Sequence, residues 1–138
     1  MNSLSEIAFK QIEDNFWYGA YGEFRVVMMK DCSYINATKM CISCGKELCE
    51  WLTIKSTEDL FDAFLAEYDV HNPPCKFVHN PRQTDVERLI YGAYLHPDLI
   101  PSVAGWISPC FQSKLCRVVN KYIVLQYEHE LAKKDECK

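Results

Sequence analysis

The chain has 138 residues, of which 49% are hydrophobic and 13% aromatic, and its formal net charge is −4 at pH 7. This length is that of one domain with its own core, and the composition argues against a disordered protein. The negative net charge argues against a generic nucleic-acid binder. No apolar run approaches the roughly 18 residues of a membrane span, and the N-terminus lacks the basic start of a signal peptide. We therefore expect a cytosolic protein, with no membrane partner, whose eight cysteines are mostly thiols.

The N-terminal part of the chain predicts a helix, a β-hairpin and two further short helices. Ser3 and Glu6 have the spacing of a capping box, and apolar residues between positions 4 and 12 recur at helical spacing. The stretch FWYGAY (16–21) leads into an apolar run at 23–30, which predicts a strand paired antiparallel with residues 33–35. Helical patterns at 37–44 and 46–52 are separated by Gly45, as in a helix-turn-helix.

Asn36 lies between the second of these strands and the next helix, and its sequence context has two interpretations. Asn36-Ala37-Thr38 fits the acceptor pattern for N-glycosylation, which would require a secreted chain. It also fits a helix start at which the Asn36 side chain accepts a hydrogen bond from the N–H of Thr38 or Lys39. Because no secretion signal is present, we expect the cap. On that role alone, Asn36→Asp is predicted to be nearly neutral and Asn36→Ala to cost about 1 kcal/mol.

The second half of the chain predicts a helix, two strands and two more helices. Ser56 or Thr57 is expected to cap a helix at 58–68, and residues 69–74 end it. The strands are predicted at 75–79 and 88–95, joined by the polar loop NPRQTDVE. Pro97 begins a helix to about residue 107, and Ser108 caps a long last helix that has proline at its first position. The order α-ββ-αα-α-ββ-αα is that of an α+β domain.

Charge is distributed unevenly along the chain. Residues 1–69 contain six basic and twelve acidic side chains, whereas residues 70–126 contain six basic and three acidic ones. The positive segment includes the second strand pair and the start of the last helix. It is either an ordinary solvated surface or a face for an anionic partner.

The motifs favour neither a metal site nor a catalytic one. Cys41 and Cys44 have the spacing of a zinc-binding pair, but the nearest second pair, Cys75 and His79, lies beyond a predicted helix. Helical periodicity alone predicts that Cys41, Cys44 and Cys49 are buried thiols. The sequence contains no nucleophile elbow, phosphate-binding loop or metalloprotease motif. We therefore expect a non-enzymatic protein without catalytic residues, metal or cofactor.

Two stretches resemble the KilA-N domain family. YINATKMCISCGKELCEWL (34–52) is similar to that family's N-A-T-K step, Gly-Lys turn and tryptophan-bearing helix. GAYLHPDLIPSVAGWISPCFQSKLCRVVNKYI (92–123) is similar to its G-x-Y-x-H-P-x-L and W-x-S-P steps. The resemblance covers roughly residues 16–123 and is strongest to the proteins of large DNA viruses, especially poxviruses. In many of those a RING domain follows; its ligand pattern is absent from this sequence, so no ligase activity is implied.

The resemblance implies a single KilA-N domain over residues 1–138, related to the fungal APSES domain. The implied fold is a winged-helix-type helix-turn-helix with two β-hairpins and a long C-terminal helix. The implied function is non-enzymatic binding of DNA, duplex or single-stranded, or of RNA. Binding would rest on phosphate contacts with weak sequence preference, in a virus that replicates in the host cytoplasm. The basic residues at matching positions are Lys39, Lys46, Lys55, Lys76, Arg82 and Arg88.

Two further expectations concern protein partners. Glu47, Glu50, Glu58 and Asp59 fall on the predicted helices next to the basic candidates. The same fold could therefore be an interaction module that recruits a viral or host protein. The apolar face of the last helix is compatible with a homodimer.

Overall fold

A six-stranded antiparallel sheet organises the fold in a computed structural model that describes residues 4–68 and 71–136. The strands lie in the order β1-β2-β3-β4-β6-β5, so the last two strands of the chain exchange places. β2 and β3 form a regular hairpin, and β4 joins this hairpin to β6. Their bounds are β1 Ala8–Glu13, β2 Phe16–Tyr21, β3 Phe24–Met29, β4 Ile35–Asn36, β5 Cys75–Val78 and β6 Gly92–Leu95.

The helices of the described residues are short, except for the last one. They are α1 Ala37–Ser43, α2 Leu48–Leu52, α3 Lys55–Glu67, α4 Asp85–Ile90, α5 Ile100–Ile107 and α6 Pro109–Glu136. Single 3₁₀ turns cover Leu4–Ile7 and Pro97–Leu99. No helix within these residues is both long and apolar enough to cross a membrane.

Residues 26–29 of β3 bury their side chains alternately on the two faces of the sheet, which explains why they form a continuous apolar run. On one face, Met28 packs in the main core with Met40 of α1, Trp51 of α2 and Ile100 of α5. On the other face, side chains of β3 join a smaller cluster around Tyr94. Strand alternation therefore divides neighbouring residues of β3 between two cores.

Asn36 forms the predicted cap of α1 and also links α1 to the end of α4. Its Oδ1 accepts a hydrogen bond from the Lys39 backbone N–H at 2.9 Å. Its Nδ2 donates to the Tyr91 carbonyl oxygen at 2.8 Å and lies 3.4 Å from that of Ile90. The side chain is 0% exposed, which leaves no room for a glycan in this fold.

The predicted N-terminal helix is wrong. Residues 8–13 form β1, after the 3₁₀ turn, while Ser3 lies outside the described residues. The register of β1 against β2 shifts twice, between Ala8 and Lys10 and between Gln11 and Glu13. These bulges interrupt the two-residue alternation, so the apolar spacing of the strand imitated that of a helix.

The predicted strand at 88–95 and the loop before it are also partly wrong. Residues 85–90 form α4, and β6 begins only at Gly92. The Thr84 hydroxyl caps α4 by accepting a hydrogen bond from the Glu87 N–H at 3.2 Å. The β5–β6 connection therefore contains a helix in place of an open hairpin loop, and Arg88 lies on that helix.

The remaining predicted elements agree with the structure to within a few residues. The strand β2 was not predicted, and β3 pairs with β2 along its whole length but with β4 only at Met28 and Ile35. One difference is that α3 begins at Lys55, one turn earlier than a Ser56 or Thr57 cap would allow. The Lys55–Asp59 ion pair, at 2.7 Å, spans this added turn. At α6 the predicted cap is confirmed, because the Ser108 hydroxyl accepts from the Phe111 N–H at 3.1 Å.

Candidate nucleic-acid interface

A groove with a volume of about 360 Å³ opens between the β2–β3 hairpin, α1 and α4. Three of its lining residues are cationic and none is acidic, so we call it the basic groove. The lining residues are Tyr18, Arg25, Val26, Val27, Lys39, Ile42, Ser43, Arg88 and Leu89. Cations that converge on a concave surface produce the local positive potential that attracts phosphates.

Lys39 lies where α1 meets α4. The cap made by Asn36 fixes the first turn of α1, and so fixes the position of this residue. The Lys39 Nζ donates to the Arg88 carbonyl oxygen at 2.6 Å and lies 3.6 Å from the centroid of the Tyr91 ring. An ammonium group has three donors, so hydrogens remain for a ligand in the groove.

Arg25 forms the opposite wall, on the outer face of β3. Its guanidinium carbon lies 4.8 Å from the centroid of the Tyr18 ring and 5.6 Å from that of Phe9. The side chain is exposed, as is that of Phe9 at 56%. A flat cation in this position can bind a phosphate through two hydrogen bonds, beside the exposed Phe9 ring on which a base can stack.

Arg88 lies in the last turn of α4 with an exposed side chain. Over the described residues, the ion pair between permanently charged side chains is Lys55–Asp59, and the His96–Asp98 contact at 3.9 Å becomes one only when His96 is protonated. No carboxylate in that part of the chain therefore forms an ion pair with Arg88 or with the other two cations of the groove.

The structure brings together two of the six residues predicted for this interface, Lys39 and Arg88. Lys46 instead contacts Trp106 of α5, with Nζ 4.4 Å from a ring centroid and 3.3 Å from the carbonyl oxygen. Lys76 lies over the Tyr34 ring at 4.4 Å.

The other two predicted residues are exposed and lie outside the groove. Lys55 is paired with Asp59 at 2.7 Å at the start of α3. Arg82 precedes α4, where its backbone N–H donates to Glu87 at 2.9 Å.

Sequence reasoning missed Arg25. A usable signal was present, because Arg25 is the single charged residue within the β3 strand FRVVMM. A charge at such a position must face solvent or a ligand. Its partners Tyr18 and Phe9, however, come from two other strands, and their approach depends on the folded sheet.

A second groove, with a volume of about 530 Å³, lies between α1, α2 and the β5–β6 pair. We call it the apolar groove. Its walls expose Phe77 by 69%, Ile42 by 53% and Leu52 by 42%, and Glu47 is among its lining residues. Ile42 contributes to both grooves, so α1 forms their common wall.

Of the three cysteines predicted to be buried by helical periodicity, Cys41 is buried, whereas Cys44 and Cys49 are exposed, so that prediction is wrong for these two. Burial raises the pKa of both Cys41 and Cys75 to about 11, so both remain thiols at neutral pH. Burial lowers the pKa of His96, whose Nδ1 accepts a hydrogen bond from the Asp98 N–H at 3.1 Å. Over residues 4–68 and 71–136, no three His, Cys, Asp or Glu side chains are grouped so that they could hold a metal ion.

The fold and the basic groove define a small α+β domain with a cationic surface. The KilA-N domain family model matches residues 19–124. The chain belongs to the KilA-N domain family.

Its relatives are proteins of large DNA viruses. The chain is 30% identical over 132 residues to the KilA-N domain-containing protein 313L of Invertebrate iridescent virus 6, covering 94% of this chain and 37% of that protein. It is 32% identical over 133 residues to protein FPV248 of fowlpox virus (strain NVSL), covering 91% of this chain and 83% of that protein. It is 29% identical over 140 residues to the KilA-N domain-containing protein L4 of Acanthamoeba polyphaga mimivirus, covering 98% of this chain and 30% of that protein. The chain thus spans about a third of the length of two of these relatives. No solved structure matches it.

Proposed function

We propose that this domain binds nucleic acid without catalysing a reaction, and that its main ligand is DNA. The basic groove is the observation that carries the proposal, because three cations and no acidic residue line it. The KilA-N family is generally considered DNA-binding and is not known for catalysis, which agrees with this assignment.

The groove favours contacts to phosphates over contacts to bases. Arg25 and Arg88 present planar guanidinium groups that fit a phosphate through paired hydrogen bonds. Lys39 adds a point charge between them. The five-residue helix α2, which would enter a DNA groove in a helix-turn-helix, exposes Glu50 and Leu52. Neither matches the arginine and amide side chains that dominate base recognition, so we propose weak sequence preference.

We further propose that the fold is a winged-helix-type helix-turn-helix. α1, the break at Gly45 and α2 have the order of a helix-turn-helix. In a winged-helix arrangement, α4 would take the place of the extended wing and would present Arg88. Arg82 is a candidate for a further contact, because it is exposed and its main chain is held to α4. We place the activity in the host cytoplasm, at sites of viral DNA replication.

Fluorescence anisotropy at several salt concentrations tests the proposal, with duplex DNA, single-stranded DNA and RNA as ligands. Three neutralised phosphates give a log–log salt slope of about −2.7 on duplex DNA. Arg25→Ala and Arg88→Ala should each weaken binding equally across unrelated sequences and flatten the slope by about 0.9. Lys55→Ala is the matched control, because Lys55 is exposed but lies outside the groove.

The decisive measurement is the DNA affinity of the double variant that carries both Arg25→Ala and Arg88→Ala. Both side chains are exposed, so the variant should keep the circular dichroism spectrum of the parent. If it remains folded and binds DNA as tightly as the parent, the basic groove is not the contact surface.

The apolar groove favours a second candidate function, which is recruitment of a viral or host protein. Its exposed residue Phe77 and its acidic neighbour Glu47 would suit a segment with an apolar anchor and a basic flank. Phe77→Ala should abolish such recruitment while leaving DNA affinity and its salt slope unchanged. Loss of DNA binding in this variant, with the fold intact, would contradict a separate role for the groove.

A further inference from the structure

α6 extends well beyond the core that the rest of the chain forms. At 1.5 Å per residue, its 28 residues span about 42 Å. Phe111 and Leu115 are partly buried, whereas every side chain from Cys116 to Lys134 is exposed. Packing within the chain therefore accounts for only the first two turns of this helix.

The exposed part of α6 carries an apolar seam. Leu115, Val118, Tyr122 and Leu125 follow one another at alternating spacings of three and four residues, the spacing of a two-helix coiled coil. The last three are exposed by 64%, 62% and 64%. His129 and Ala132 continue the same spacing. A seam of this kind is stable in water when a second helix covers it.

Charge along α6 indicates the direction of that second helix. The helix carries Lys114, Arg117 and Lys121, with no acidic residue before Glu128. Two parallel copies would place the three cations of both helices at the same end of the pair. Two antiparallel copies place Lys121 of each helix beside Glu128 of the other, because both residues flank the same side of the seam.

We propose that α6 is a dimerisation helix that pairs antiparallel with α6 of a second copy of this chain. Tyr122 and Leu125 of one copy face Leu125 and Tyr122 of the other at the centre. Val118 lies opposite His129, and Leu115 lies opposite Ala132. The two globular parts then lie at opposite ends of the paired helices. This arrangement does not depend on nucleic-acid binding.

Sedimentation velocity on the full chain, over a dilution series, tests the pairing. The parent should show the mass of two chains at high concentration and dissociate on dilution. Tyr122→Glu and Leu125→Glu should show the mass of one chain throughout, because each places a carboxylate in the seam. The matched controls are Val124→Glu and Tyr127→Glu, whose parent side chains are exposed by 49% and 62% on the opposite side of the helix. Both controls should remain dimeric.

Two results would overturn the pairing. One is a parent chain that stays monomeric at every concentration. The other is dissociation of the control variants to the same extent as the seam variants, with helix content unchanged by circular dichroism. In the second case the surface that dimerises is not the seam.

A charge exchange tests the antiparallel direction. Lys121→Glu and Glu128→Lys should each weaken self-association, because both contacts then join like charges. An equimolar mixture of the two variants should dimerise as the parent does, because each chain now offers the charge that the other lacks. In a parallel pair, Glu128→Lys meets Lys133, and mixing leaves that repulsion in place. A mixture that dimerises no better than its components therefore overturns the antiparallel direction.

Discussion

Asn36→Asp tests how the basic groove is held together. As a cap alone, aspartate replaces asparagine almost without cost. In the structure, however, Asn36 Nδ2 also donates to the Tyr91 carbonyl oxygen at 2.8 Å, in a site that is 0% exposed. The substitution turns this donor into an acceptor that faces another acceptor. This second hydrogen bond replaces the expectation of a neutral change, which rested on the cap alone, with that of a destabilising one.

The magnitude follows from the contacts that are lost. Leaving a buried carbonyl oxygen unpaired costs about 1–3 kcal/mol, and a carboxylate removed from water adds to that cost. The favourable interaction of the new carboxylate with the Lys39 N–H and the N-terminus of α1 offsets this cost by about 1 kcal/mol at most. We expect Asn36→Asp to lower the free energy of unfolding by about 3 kcal/mol at neutral pH. Asn36→Ala should cost about 2–4 kcal/mol, because it loses the cap as well as the link.

Urea denaturation at two pH values provides the assay. At acid pH the new carboxyl group becomes protonated and can donate to Tyr91, so the difference between Asn36→Asp and the parent should shrink. Thr84→Ala is the control, since it removes an exposed cap at α4 and should cost about 1 kcal/mol at either pH. An Asn36→Asp variant within about 0.5 kcal/mol of the parent at neutral pH, with an unchanged m-value, would refute the reasoning.

Four further substitutions test the stability of the fold. Gly92→Ala should cost more than about 2 kcal/mol, because φ is +138° and a Cβ would lie 2.6 Å from Asn36 Oδ1. Gly45→Ala should cost only about 1 kcal/mol, since its Cβ would meet nothing within 4 Å; equal losses in thermal unfolding would contradict the steric explanation. Burial lowers the pKa of His96 in the fold. The contribution of the neutral imidazole to the free energy of unfolding is therefore fully present above the ordinary pKa of about 6.5, and it is lost as the pH falls through the folded pKa. His96→Phe should make the free energy of unfolding, measured in denaturant titrations, depend less on pH. If the pH dependence is unchanged in this variant, it arises from other groups. Lys46→Ala should lower the melting temperature through its lost contact with α5 but leave DNA affinity unchanged, which anisotropy measures.

The sequence predicted those elements whose signals are local. Asn36 and Gly45 mark the start of α1 and the break before α2 by their own chemistry, and both features appear in the structure. β1 was missed because its bulges conceal the alternation. α4 was missed because the apolar residues of 88–95 also fit a strand, although Thr84 and Glu87 have the spacing of a capping box.

The candidate site was less accessible to sequence reasoning. Lys39 and Arg88 followed from the family resemblance, and the fold places them on the same groove. Arg25 could not be joined to them, because β3 reaches α1 only when the sheet has formed. Lys46 lies at a predicted position, but its contact with Trp106 is tertiary and has no pattern in the sequence.

The contact between Lys39 and the Arg88 carbonyl has a consequence for the entropy of binding. An unrestrained lysine side chain loses about 1.5–2 kcal/mol of rotamer freedom when it is fixed. Lys39 is already held by this carbonyl and by the Tyr91 ring when the chain folds. The Arg88 side chain is exposed and must be ordered when a ligand arrives. One wall of the groove is thus preorganised and the other adapts, which suits a ligand with regularly spaced charges and variable local shape.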